Sequence, residues 1–264
     1  MYTNSPTPPP YNGGGYNDST QTVSLASAVM KRVYLKMTLG LLVTAFLSMF
    51  CAGSMSYMQF MSSYSWFYWC LFIAELVIVF SLSARISKMS SATATLLFYV
   101  FAALNGLALA PIFIVYTATS IAKTFFICAG TFGAMSVYGY FTTQDLTKWG
   151  NFLFYALIGL IIASVVNIFT HSDTLGWIIS CAGVLIFVGL TAWDTQKIKQ
   201  MAQYAPSSMA GHLATIGALS LYLDFINLFL YLLRFFGSSR DYSSISADTT
   251  PRHTMPMLSH VCGT

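Results

Sequence analysis

The sequence predicts an all-α integral membrane protein, a seven-transmembrane-helix bundle. Three observations predict it. The 264 residues are 56% hydrophobic and only 8% charged, with mean hydropathy +0.66, whereas soluble domains carry about 25% charged residues. Seven apolar segments lie near residues 34–53, 66–84, 94–116, 121–141, 151–169, 174–193 and 213–236. Each approaches the about 20 residues that a helix needs to cross roughly 30 Å of hydrocarbon. The breaks between them are short and polar, so neighbouring helices must run antiparallel.

Taken in order, the chain opens on a leader, residues 1–29. Its first twenty residues are rich in Pro, Gly, Asn and Ser and bury no core, so they are expected to be disordered. No basic stretch leads into a short apolar run, so the leader does not read as a signal peptide. An amphipathic approach over residues 21–32 ends in Met30-Lys31-Arg32. The membrane domain covers residues 30–237, and 238–264 form a flexible tail. The punctuation is Gly53-Ser54 with a Ser/Tyr-rich loop to Ser65, then 85–91, 117–120, 142–149, 170–173 and 194–212.

Loop charge sets the expected orientation. With a cytoplasmic N-terminus, that side holds Lys31, Arg32, Lys36, Arg85, Lys88, Lys148, Lys197 and Lys199, against Lys123 in the short loops opposite. A full seventh crossing leaves Arg234, Arg240 and Arg252 outside, and a re-entrant last segment would return them. The length of residues 213–236 favours the full crossing. The net charge of +4 comes with no basic run suited to a phosphate backbone, so nucleic acid is not an expected partner. The cysteines Cys51, Cys70, Cys128, Cys181 and Cys262 have no metal-ligand spacing, and the first four are expected to pack as small hydrophobes.

The last span, ALSLYLDFINLFLYLLRFFG over residues 218–237, carries Asp224 near its middle. An ionisable group at that depth is costly and is a functional candidate by default. Steps of three and four residues put Gly217, Ser220, Asp224, Asn227, Tyr231 and Arg234 on one helical face. Such a helix belongs inside a bundle, its stripe on a polar seam or a water-filled path. Two other acids lie at membrane depth: Glu75 in the second span and Asp194 at the end of the sixth, in LTAWDTQKIKQM, where the helix is expected to continue past the membrane face. Each has a purely structural reading. Glu75 can be a protonated acid in a helix–helix hydrogen bond, and Asp194 an interfacial partner of Lys197 or Lys199. The functional reading pairs Asp194 with Asp224, Arg85 nearby, as one coupled proton-titrating unit. Asn105-Gly106 and Pro111 are expected to interrupt the third span and free carbonyls. Gly130, Gly133 and Gly139 suit close helix packing. Trp66, Trp69, Trp149, Trp177 and Trp193 read as an interfacial belt.

These stretches resemble a known family. The last-span motif is similar to the last-helix signature of the Bax inhibitor-1 (transmembrane Bax inhibitor motif) family, near its bacterial members. LTAWDTQKIKQM resembles the family's second signature, at the end of the sixth helix; VYLKMTLGLLVTAF and AELVIVFSLSARISKMS resemble its first and second helices. The resemblance covers residues 30–237. It implies seven helices with the last one central, wrapped by the other six, and a pH-sensitive calcium leak. It implies proton sensing and gating by Asp194 and Asp224, with Arg85 as an arginine latch, though the spacing from Glu75 to Arg85 departs by a residue from relatives.

On that reading Glu75, Ser220, Asn227 and Tyr231 line the ion pathway, and Asp224 and Glu75 bind calcium weakly and transiently. No cofactor and no enzymatic activity are implied. The partners are the lipid bilayer, calcium ions and membrane proteins, and the location is a bacterial inner membrane. Three other readings compete. An intramembrane aspartyl protease would use two membrane aspartates, but Leu221-Tyr222-Leu223 stands where a Gly-x-Gly-Asp loop is required. A membrane interaction protein modulating a protease or stress pathway would use the acids only for packing. A proton-coupled transporter would need a counter-ion.

Overall fold

Long apolar runs must satisfy their own backbone hydrogen bonds where water is absent, and the chain is helical wherever those runs occur. The computed structural model describes residues 14–238. Its helices are α1 (Gly14–Ala52), α2 (Met55–Ser63), α3 (Ser65–Arg85), α4 (Ser91–Leu109), α5 (Ile112–Val115), α6 (Ala118–Phe141), α7 (Thr147–Thr170), α8 (Asp173–Tyr204) and α9 (Ala210–Phe236). Seven spans are long and apolar enough to cross a membrane, and no β-strand occurs among the described residues. Hydroxyl residues start four of the helices. Ser54, Ser90, Thr117 and Ser172 each accept a hydrogen bond from the backbone N–H three residues on, satisfying a donor that the helix leaves free.

Helix α9 is the centre of the bundle. Residues buried inside the protein make up 61% of its apolar window, against 44% for α8 and no more than 28% for any other span. It packs on α8, α1, α6 and α4. Helices α3 and α7 lie outside that ring, α3 chiefly on α4 and α7 on α8. Of the six helices expected to wrap it, four pack closely on α9, and α3 and α7 stand farther out. At its start, His212 Nε2 lies 2.8 Å from the Met89 carbonyl between α3 and α4. At its end, the Ser238 N–H donates to Ser120 Oγ at 2.9 Å, at the start of α6. These anchors lie at opposite ends of the bundle, so α9 crosses fully and is not re-entrant. The ends are called here the Lys31 end, where α9 starts, and the far end.

Several local expectations change. Residues 14–20, read as part of a disordered leader, are helical and begin α1; residues 1–13 and 239–264, with the tail, lie outside the described residues. The loop after Ser54 contains α2. Asn105-Gly106 does not break its span: α4 runs through to Leu109, and the break falls at Ala110–Pro111. Pro111 has no N–H to give the Leu107 carbonyl, which instead accepts from the Ala110 N–H at 3.3 Å and from Tyr57 Oη at 2.9 Å. The Gly106 carbonyl accepts from Ser48 Oγ at 2.7 Å. Of the three α6 glycines only Gly139 is closely packed, against the Ala192 backbone; a β-carbon at Gly130 or Gly133 would meet nothing within 4 Å. Cys51 and Cys128 are buried, but Cys70 is exposed. Trp66, Trp69, Trp149 and Trp177 are exposed as an outer belt requires. Trp193 is instead half-buried against Gly150 under the Lys197 ammonium, 4.6 Å from the ring centre.

Candidate functional site

The polar stripe of α9 faces α8. Gly217 packs on Ile198, the Tyr231 ring lies over Gly183 and stacks on Phe187 at 5.9 Å, and the Arg234 guanidinium lies against Gly176. Small residues on α8 make room for long side chains on α9. Midway along this seam, between the Gly217 and Tyr231 contacts, the Asp194 and Asp224 carboxyls come within side-chain hydrogen-bonding reach of each other. Asp224 is only 5% exposed, and its Oδ2 is buried without a hydrogen-bond partner. Asp194 is half-buried. A hydrogen bond between two carboxyls needs a proton on one of them.

The neighbours of the pair differ in part from expectation. No direct ion pair joins Asp194 to Lys197 or Lys199, although Lys197 acts on Asp194 electrostatically from farther off: Lys197 sits over Trp193, and Lys199 Nζ donates to the Tyr140 carbonyl at 2.6 Å. Helix α8 does continue past Asp194, to Tyr204. Ser220 and Asn227 are half-buried on the stripe, and Asn227 Nδ2 donates to the Leu223 carbonyl of its own helix at 2.8 Å. Tyr231 also reaches Ser164 of α7. Arg85 ends α3, exposed, and no hydrogen bond or ion pair joins it to either aspartate among the described residues. The physical reason is that α3 packs on α4, outside the ring around α9. An arginine latch is not engaged in this conformation.

Glu75 stands apart from the aspartates for the same reason. It is half-buried on α3, hydrogen-bonded to Asn105 of α4, with Oε1 buried and unpartnered. Asn105 Oδ1 accepts from Tyr222 Oη at 3.2 Å, and Tyr222 Oη lies 2.7 Å from Thr44 Oγ1 of α1. Thr44 Oγ1 also lies 2.8 Å from the Ala102 carbonyl. Glu75 thus belongs to a second polar network across α3, α4, α9 and α1, and this conformation does not bring it to Asp224 as a shared calcium ligand. Among the described residues no group of three or more His, Cys, Asp or Glu side chains is placed to hold a metal ion.

Sequence reasoning passed over Tyr222 and Thr44. The available signal was a phenol and a hydroxyl inside Leu- and Phe-rich spans that also hold Tyr231, Thr38 and Ser48. It also passed over Gln196, which is buried: its Oε1 accepts from the Leu146 N–H at 2.9 Å, and its Nε2 donates to the Gln144 carbonyl at 2.7 Å. Two residues beyond Asp194, it fastens the α6–α7 loop to α8. Lys36, counted as a loop charge, donates to Thr95 and Thr215 hydroxyls, each at 2.7 Å, and joins α1, α4 and α9.

A central membrane helix carrying a buried acid, set against an acid on the preceding helix, defines a multi-pass membrane protein with a carboxyl pair at its core. The sequence comparisons give this class its family. Residues 26–241 match the family model described as inhibitor of apoptosis-promoting Bax1, and the chain belongs to the Bax inhibitor-1 family. It is 50% identical over 214 residues to the inner membrane protein YbhL of Escherichia coli K12, covering 80% of this chain and 92% of that protein. It is 45% identical to the uncharacterized protein RP147 of Rickettsia prowazekii, over 80% and 90% of the two chains. It is 40% identical to the uncharacterized protein YrjE of Lactococcus lactis, over 80% and 91%.

Proposed function

We propose that this protein is a pH-sensitive calcium leak channel gated by the Asp194–Asp224 pair. The observation that carries the reading is the hydrogen bond between these two carboxyls at the middle of the α8–α9 seam. With one proton shared, the pair is a charge-assisted clamp between the helices, the stronger kind of hydrogen bond. A second proton removes the charge and weakens the clamp. Helix α8 then separates from α9 along the stripe, bringing Ser220, Asp224, Asn227 and Tyr231 into a continuous polar path. Their oxygens are the hard ligands that calcium prefers. Arg85, unpartnered here, acts as a latch only in a conformation that carries α3 inward.

The same reading puts the Lys31 end in the cytoplasm, from the excess of Lys and Arg there. It puts the protein in a bacterial inner membrane, from its likeness to YbhL. No catalytic step is assigned to any residue.

The test is calcium uptake by proteoliposomes of the purified full chain, measured from mildly alkaline to mildly acidic pH. Uptake rises as pH falls, and both Asp194→Asn and Asp224→Asn flatten that rise. Native protein that carries no calcium, or a pH profile untouched by both variants, overturns the reading. A stable protein partner recovered with a flux-free chain would favour the interaction role instead.

A further inference from the structure

Helices α1 and α6 each pack on α8 and α9 and leave a crevice between them. On the Lys31 side this crevice is a cavity of about 590 Å³, and on the far side it continues as one of about 420 Å³. Leu41, Phe125 and Phe225 line both parts. The size lies within the roughly 300–1,000 Å³ of sites that hold small organic molecules. Part of its α6 wall is bare, because Gly133 has no neighbour within 4 Å of where a β-carbon would stand.

The lining changes character along its length. Its mouth carries Ser27, Lys31, Tyr34 and Tyr140, and deeper in Thr38 and Ser136 are the polar residues among Met, Leu, Val, Phe and Ala. Among the described residues Lys31 is the only charged residue of the lining, and none of them is an acid. A second cation stands beside the mouth: Lys199 Nζ lies 4.6 Å from the centre of the Tyr140 ring. From Lys31 to Leu41 is ten residues, about 15 Å of helix, which is half of the roughly 30 Å hydrocarbon thickness. The polar mouth therefore lies at headgroup depth and the apolar floor near the bilayer midplane. A basic recess between helices at a membrane face suits the headgroup of an anionic lipid.

We propose that the α1–α6 crevice is a binding site for one anionic phospholipid of the surrounding bilayer. Lys31 takes the headgroup phosphate, the hydroxyls of Ser27, Tyr34 and Tyr140 hydrogen-bond around it, and an acyl chain fills the recess down to Phe225. The neighbour of Phe225 in the chain is Asp224, so the lipid backs the helix that carries the buried acid. The site does not depend on the calcium reading, and its test measures no flux.

The experiment reconstitutes the full chain in phosphatidylcholine vesicles. These contain a small fraction of either phosphatidylglycerol or phosphatidylcholine bearing a diazirine midway along one acyl chain. After photolysis, peptide mapping locates the label. The phosphatidylglycerol probe labels residues 34–41 and 125–133 about fivefold more than the phosphatidylcholine probe, the preference one basic residue gives at an anionic surface. Lys31→Ala removes that preference. Gly133→Leu, which fills open space, lowers labelling by both probes while thermal stability in detergent is retained. Equal labelling by the two probes overturns the proposal. So does label spread evenly over the lipid face of α7, or a preference that survives Lys31→Ala. Cross-linking of two protein copies through the crevice overturns it as well, by showing another occupant.

Discussion

Tyr222 and Asp224 stand two residues apart on α9 and serve opposite sides of it. Two steps of an α-helix turn the side-chain direction by about 200°. Tyr222 therefore meets Thr44 of α1 and Asn105 of α4, while Asp224 meets Asp194 of α8. One helix holds two buried polar sites that do not touch, each with an unpartnered carboxylate oxygen at or near it, on Glu75 and on Asp224.

The separation predicts different phenotypes. Tyr222→Phe keeps the ring that packs edge-on against Phe98 and Phe101 at 5.7 Å, and removes only the hydroxyl between Thr44 and Asn105. Leaving buried polar groups unpaired costs about 1–3 kcal/mol. Thermal unfolding in detergent should show that loss, while the pH midpoint of calcium uptake stays that of the native protein.

Asp224→Asn and Asp194→Asn should behave as one lesion. Either amide keeps the shape of the carboxyl but ends the sharing of a proton. A balanced gate moves about tenfold for each 1.4 kcal/mol, so either variant should hold uptake to a much smaller change over the same pH interval. The double variant should resemble each single one. Additive effects of the two substitutions in a double-mutant cycle would show that the groups act separately.

Arg85→Ala should leave thermal stability within about 0.5 kcal/mol of the native value, as for an exposed side chain without partners. If the latch forms in another conformation, the same variant raises uptake at neutral pH. A stability loss of several kcal/mol would mean that Arg85 is engaged in the resting state.

The α6 glycines divide sharply. A β-carbon at Gly139 would collide with the Ala192 backbone, so Gly139→Val should cost about 1–3 kcal/mol or more through overpacking. Gly130 faces open space, and Gly130→Ala should be neutral or gain up to about 0.5–1 kcal/mol from reduced backbone entropy. Paired melting curves decide both.

Gln196→Leu should release the α6–α7 loop. The buried Leu146 N–H loses its acceptor and the Gln144 carbonyl its donor, a penalty of about 1–3 kcal/mol for each unpaired group. Amide hydrogen exchange at residues 144–146 should accelerate while the core of α9 stays protected.

The sequence by itself determined the class, the seven spans and the placement of an acid, Asp224, inside the bundle. Each rests on a local quantity: apolar content, segment length, and an acid in the middle of a span. The same local reading found the extension of α8 past Asp194, because LTAWDTQKIKQM keeps its helical character beyond the apolar run. Only the tertiary structure decided which polar groups meet. Arg85 and Glu75 also stand out in the sequence, less firmly than Asp224, but α3 packs chiefly on α4 and no hydrogen bond or ion pair joins either to Asp224 among the described residues. Gly130, Gly133 and Gly139 look alike in sequence, yet one is jammed against α8 and two face open space. Helical periodicity fixes the direction of each side chain about its own axis. It does not fix which neighbour stands there, because that is set by the packing of helices far apart in the chain.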